Sequence, residues 1–451
     1  MFARVSVLSL ALSCIVSTTA ALDLDVQNKD SITKAASTLA DGLVTFYNDG
    51  LSDHQVPGLL PDPYFWWEGA IMFNALIEYS SLTGDKQYDS IVSEGIQGQL
   101  GEEPGYAFLP TNQTAKIFNE DQSLWALAAM AAAESDFPKP ENKSWVEYAA
   151  EVFDAQVPRW DDETCNGGLR WAIFPFQAGY DYKNAASNGD FFLLAARLAR
   201  FTGNETYFEW ADKSFTWAQD IGFISDSYNV YDGAETTDDC GEIAELQWTA
   251  HHAAYTEGSA IMQNITDGKQ KWTDALQGFV NSSSIFFKDD ILTEIACENS
   301  GKCDIDMRAF KGMAIGSYAR AVVAAPAIGE SLTKKLEASA KAAASACSED
   351  SRDVKCSLAW ANPDDDNWEA ASASSGNLNE VFDALQAVQG LLFSEAASNG
   401  TESGNGDNAT QKGGASGTSE AGAPTETGAA GTIAASVTMV LAMAFAAALS
   451  C

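Results

Sequence analysis

Apolar residues recur at three- and four-residue steps along most of the chain. Between positions 31 and 47, Ile32, Ala35, Ala36, Leu39, Leu43 and Phe46 form one stripe, the mark of an amphipathic helix. The same spacing predicts helices over 65–82, 87–100, 122–134, 143–157, 188–201, 206–221, 246–264, 269–286, 306–323, 331–347 and 379–392. About a dozen helices and no run of alternating strands make an all-α chain. Small-residue faces such as 126–133 allow close helix packing.

A short repeat joins these elements. Thr83-Gly84 precedes Tyr88, Thr202-Gly203 precedes Tyr207, and Gly268 precedes Trp272 at the same distance. Each Gly ends one helix and each aromatic opens the next. Stacked helical hairpins follow, in a solenoid or a closed toroid. Irregular spacing, with long loops rich in aromatics and acids, favours the closed toroid. No linker interrupts 24–397, so one domain is expected there rather than two split near 280–305.

The two ends differ from this body. Arg4, an apolar run over 5–16 and Ser17-Thr18-Thr19-Ala20-Ala21 read as a cleaved signal peptide over 1–21. Residues 398–431 are a Gly/Ser/Ala/Thr linker without large apolar side chains. The tail over 432–451 is apolar, and no Lys or Arg follows it. That order is the signal for a glycosylphosphatidylinositol (GPI) anchor, with attachment between Gly413 and Gly422 and the tail removed. A membrane is therefore met through a lipid on the outer cell face, not through a spanning helix.

Cysteines and sequons agree with export. Outside the two ends stand Cys165, Cys240, Cys297, Cys303, Cys347 and Cys356. Cys297 with Cys303, and Cys347 with Cys356, would close small loops and leave Cys165 with Cys240. Six cysteines alone allow fifteen connectivities. Asn-x-Ser/Thr sequons occur at Asn112, Asn142, Asn204, Asn264, Asn281, Asn399 and Asn408. A formal net charge of −37 opposes nucleic acid and anionic lipid as partners. With three His, none in an HExxH motif, and no CxxC, neither metal nor cofactor is expected. Asp364-Asp365-Asp366 lacks calcium-loop spacing and reads as a solvated turn.

Candidate chemistry begins at Asn119-Glu120-Asp121-Gln122, where adjacent carboxylates open an apolar helix. Such residues cap a helix and favour its dipole. They also suit glycoside cleavage, in which one carboxyl protonates the leaving oxygen and the other attacks carbon or activates water. Other loops join aromatics to acids: Tyr64-Phe65-Trp66-Trp67-Glu68, Trp160-Asp161-Asp162, Asp181-Tyr182-Lys183-Asn184, and Val230-Tyr231-Asp232-Gly233 ahead of Gln247-Trp248. Sugar faces stack on such rings, so their recurrence between helices points to a carbohydrate groove.

Several blocks together resemble glycoside hydrolase family 76. They are Trp66-Trp67-x-Gly69-Ala70, Asn119-Glu120-Asp121-Gln122, Thr164-Cys165-x-Gly167-Gly168-Leu169-Arg170-Trp171, Tyr182-Lys183-Asn184, Val230-Tyr231-Asp232-Gly233 and Leu246-Gln247-Trp248-Thr249. The chain looks most like the fungal, GPI-anchored branch, and the likeness runs from Leu24 to Leu392. It implies an (α/α)6 barrel and a retaining mannan endo-1,6-α-mannosidase. Glu120 takes the nucleophile's position and Asp121 that of the general acid/base. Trp66, Trp67, Asp181, Asn184, Asp232 and Trp248 would bind sugar. Implied partners are mannan or the GPI-core glycan, with wall glucan as acceptor if the reaction is transfer, and a monomer is expected. Two positions depart from the pattern: Glu120 replaces the usual Asp, and Ala250-His251 stands where Tyr-Asn is usual. They leave open a second reading, a homologue that binds mannan or GPI glycan with little turnover.

Overall fold

All twelve helices form. The computed structural model describes residues 21–50, 56–102, 107–348, 354–362 and 377–393. Among these the helices are α1 (Lys29–Gly50), α2 (Trp66–Thr83), α3 (Asp89–Gly98), α4 (Asn119–Glu134), α5 (Trp145–Gln156), α6 (Ala185–Thr202), α7 (Glu205–Asp220), α8 (Thr249–Ile265), α9 (Gln270–Ser282), α10 (Phe310–Ala324), α11 (Gly329–Ser345) and α12 (Leu378–Gln389). One compact unit spans Met1–Ser403, and the other, Gly404–Cys451, lies wholly outside the described residues. So do the signal peptide apart from Ala21, the linker and apolar tail, Asn399, Asn408 and the Asp364-Asp365-Asp366 turn.

The even-numbered helices pack in succession from α2 to α12, and α12 returns to α2, which closes a ring. The odd-numbered helices lie outside it, α3 on α2, α5 on α4, α7 on α6, α9 on α8, α11 on α12 and α10, and α1 on α12. This is the (α/α)6 barrel. Burial follows position: α4, α6, α8 and α12 are buried almost all round, whereas α3, α7 and α9 bury one stripe. The seam between α12 and α2 is sewn by hydrogen bonds. The Leu378 N–H donates to Tyr64 Oη at 3.0 Å, and the Asn379 amide donates to Glu68 at 2.5 Å.

The repeated Thr-Gly pair has a mechanical reason. Gly84 (φ 77°) and Gly203 (φ 68°) take the left-handed conformation that ends α2 and α6. The preceding Thr83 and Thr202 hydroxyls donate back to the carbonyls of Tyr79 and Leu198. These ends give short turns. The connections into the inner helices are long, and they gather at the face where inner helices begin. Two of them carry a small antiparallel sheet of β1 (Tyr182–Asn184), β2 (Gly233–Glu235) and β3 (Ile243–Ala244).

Among the described residues the disulfides are Cys165–Cys240, Cys297–Cys303 and Cys347–Cys356, the pairing favoured by loop size. Asn112, Asn142, Asn204, Asn264 and Asn281 are all exposed, as glycan carriers must be.

Candidate active site

The long-loop face is organised around the first turn of α4. The spacing of apolar residues starts this helix at 122, but it begins at Asn119, because its polar opening turn is buried and bonded. The Asn119 N–H donates to the Trp171 carbonyl at 3.0 Å and its side-chain amide to the Arg170 carbonyl at 2.8 Å. Arg159 donates to Asn119 Oδ1 and Gln122 Oε1. Asp121 Oδ2 accepts from the Phe118 N–H at 2.9 Å, closing the turn.

The Gly-Gly-Leu-Arg-Trp loop lies against this turn. Gly168 (φ 93°) passes so close to Trp217 that a Cβ would fall 2.2 Å from its ring. Lys183 Nζ, fully buried, donates to the carbonyls of Asp161, Thr164 and Gly167 and pairs with the Asp161 carboxylate at 3.3 Å. Asn188 exchanges two hydrogen bonds with the Leu169 backbone. The loop so held presents Trp171, whose ring stacks on Phe118 with centroids 4.6 Å apart.

Both oxygens of Glu120 are then occupied. The Trp171 Nε1–H donates to Oε1 and the Ser187 hydroxyl to Oε2. Ser187 is fixed in the first turn of α6, its N–H donating to the capping Asn184 Oδ1 at 3.1 Å. Burial pushes Glu120 up to about 7, against the stabilising bonds from Ser187 and Trp171. Asp121 is raised well above the carboxylate range, first by burial and then by the charge of Glu120, with Asp190 and Glu68 adding to it. The two side-chain donors on Glu120 favour its anion, whereas Asp121 accepts only from the Phe118 N–H, so the proton of the pair is favoured on Asp121. Glu68, fully buried at the start of α2, is pushed up to about 7 by burial. Asp190, one turn beyond Ser187, is also raised by burial and by Glu120.

A second group collects Trp67, Trp248 and Asp232. The Trp248 Nε1–H and the Tyr182 hydroxyl donate to the two oxygens of Asp232, at 2.8 and 2.7 Å. Phe310 joins the wall, 5.4 Å from Trp248 and 6.5 Å from Trp67 between ring centroids. His251 packs 5.9 Å from Phe310. Its neighbour His252 is spent on Tyr318 Oη and Ser282 Oγ inside the barrel.

Two expected sugar contacts are placed differently. Trp66 turns into the helix layer, its Nε1–H donating to Gln99 at 2.6 Å and its ring 5.3 Å from Trp125. It lies on α2 beside Trp67, and one residue's rotation aims it away. Asp181 points to solvent with 69% of its side chain exposed and only a 3.5 Å approach to Arg170. Neither joins the two groups above. Ser187, Asp190 and Phe310 escaped the sequence reading. Ser187 alone left a trace, three residues after a capping Asn.

A sequence model of Glycosyl hydrolase family 76 matches residues 31–403. Mannan endo-1,6-alpha-mannosidase DFG5 of Saccharomyces cerevisiae is 35% identical over 380 residues, covering 83% of this chain and 81% of that one. The crystal structure of Dfg5 from Chaetomium thermophilum in complex with glucosamine superposes with a TM-score of 0.75 at 35% identity, covering 82% of this chain and 92% of that one. An inactive α-1,6-mannanase of Salegentibacter sp. HEL1_6, with two consecutive aspartates replaced by alanine and α-1,6-mannotetrose bound, has a TM-score of 0.59 at 17% identity, over 79% and 98% of the two chains.

Proposed function

The chain belongs to glycosyl hydrolase family 76, and on that premise we propose that it cleaves or transfers α-1,6-mannosides at the cell surface by a retaining mechanism. It is a glycoside hydrolase, and its likeness to mannan endo-1,6-alpha-mannosidases supports a role in the cell wall. The observation that carries the mechanism is the split between two adjacent carboxyls. Two donors hold Glu120 and favour its anion, while burial and the charge of Glu120 favour the protonated form of Asp121 beside it.

Asp121 gives its proton to the glycosidic oxygen as the bond to the anomeric carbon breaks. Glu120 attacks that carbon and forms a glycosyl ester, which removes its charge. The new Asp121 carboxylate then takes a proton from the incoming hydroxyl, which displaces Glu120. With water as acceptor this is hydrolysis, and with a sugar hydroxyl it is transfer, as for a GPI-core glycan moved to wall glucan. Trp67, Trp248 and Asp232 supply the wall for a bound mannose. Consecutive carboxyls fit the Salegentibacter mannanase, which is inactive when its consecutive aspartates are replaced.

The purified protein is incubated with α-1,6-mannotetraose while NMR follows the anomer first released. Retention is expected, and Asp121→Asn abolishes it. Wild type indistinguishable from Asp121→Asn, or an inverted product, would sink the mechanism. The extra methylene of Glu120 favours a second reading, a mannan-binding homologue with little turnover. A large rate gain in Glu120→Asp would support it. Export and anchoring rest on the two ends, and release of the protein from cells by a GPI-specific phospholipase tests them.

A further inference from the structure

Phe176 is the most exposed large apolar side chain among the described residues, at 72%. The loop builds this exposure. Pro175 presets a turn that closes where the Gln177 N–H donates to the Phe174 carbonyl at 3.0 Å. The Gln177 side chain accepts from the Phe174 N–H at 2.7 Å and donates to the Ile117 carbonyl at 2.9 Å. The turn is thus staked to the segment that leads into α4. Phe174 lies behind Phe176, with ring centroids 5.4 Å apart and planes within 5°.

The same loop starts and returns at the candidate catalytic residues. Trp171 at its base donates to Glu120. Gly179 on its return lies against the Trp171 indole, where a Cβ would fall 2.4 Å from a ring carbon. Phe176 therefore stands on the long-loop face, on the loop whose base Trp171 bonds the candidate nucleophile. Phe201, also exposed, ends α6 at the opposite face and serves as a natural control.

Resting on the reading of an α-1,6-mannoside chain as substrate, we propose that Phe176, backed by Phe174, is a stacking platform for a pyranose ring remote from the cleaved bond. The apolar C–H face of a pyranose matches a ring held flat in water. A neutral sugar suits an acidic surface, with Asp181 exposed at the loop's return and a net charge of −37 on the chain. That charge opposes an anionic bilayer as the occupant.

The test measures kcat/KM on α-1,6-mannobiose through mannohexaose. Phe176→Ala leaves the shortest cleaved substrate unchanged and lowers the longest by about 2- to 10-fold. Phe176→Trp restores the length dependence, and Phe201→Ala changes nothing. An equal fall at every length, or none, overturns the platform. Absence of wild-type turnover defeats the catalytic reading only. The platform is then read from mannohexaose affinity by NMR titration, and unchanged affinity in Phe176→Ala overturns it. Loss of binding to phosphatidylcholine vesicles with intact length dependence assigns the ring to lipid and also overturns it.

Discussion

Ser187→Ala removes one of the two protein donors that fill the carboxylate of Glu120. The change is small elsewhere. The Ser187 N–H still donates to Asn184 Oδ1, and Ala is a better helix former than Ser. A hydrogen bond to a charged group is worth about 1.5–3 kcal/mol, and each pKa unit about 1.4 kcal/mol. The midpoint of Glu120, about 7 in the intact site, therefore rises by about one to two pH units. The nucleophile must be ionised, so the acid limb of kcat/KM moves up by the same amount. At pH 6 the active fraction falls about tenfold or more. Above the new midpoint most of the loss is recovered, since Trp171 still orients the carboxylate. Initial rates on α-1,6-mannotetraose across pH 4 to 9 read this directly, with thermal melts to confirm folding. A uniform fall with an unmoved acid limb would refute the claim that Ser187 acts through the charge of Glu120.

Glu68→Gln tests the buried acids. Glu68 has a folded pKa raised above its unfolded value, so the stability it lends is full below pH 4.5 and lost as pH rises through about 7. Wild type should lose up to about 3 kcal/mol more than Glu68→Gln between those limits in paired melts, and parallel curves would contradict this. Lys183→Met leaves three carbonyls, that of Gly167 buried, without their donor and costs about 3 kcal/mol in denaturant unfolding, with activity lost as the Trp171 loop loosens. Replacing Cys165 and Cys240 by Ala opens a loop of 75 residues and costs about 4 kcal/mol. The Cys297–Cys303 loop, at a separation of 6, costs about half as much, and a reversed order in Tm would contradict the loop-closure account.

The helices were legible because burial on one side imposes a period, and the Thr-Gly ends were legible because few residues adopt a positive φ. Ring closure could be expected from the irregular, aromatic- and acid-rich loops and from the family resemblance, but not from the periodicity. It depends on contacts such as Tyr64 with Leu378, separated by 314 residues, which leave no local pattern. Motifs pointed to a candidate site but not to the direction of each side chain. Trp66 and Trp67 are equally aromatic and adjacent, yet one packs against Trp125 and the other approaches Phe310. Phe310 carries no motif, since only the packing of α10 beside α8 brings it to Trp248.

Capping and catalysis look like rival accounts of Glu120-Asp121, but they divide between the two residues. Asp121 spends Oδ2 on the Phe118 N–H and so is tied to the helix start. Its other oxygen remains for a proton, which burial and the neighbouring charge keep in place. Glu120 makes no cap bond to Phe118, and both of its partners come from outside α4, one on the Gly-Gly-Leu-Arg-Trp loop and one on α6. Donors on other elements can meet a side chain one methylene longer, and the cap bond at Asp121 is the one that Glu68 and Glu147 make at the starts of α2 and α5. The nucleophile position accommodates Glu while Trp171 and Ser187 stay where Lys183 and Asn184 hold them.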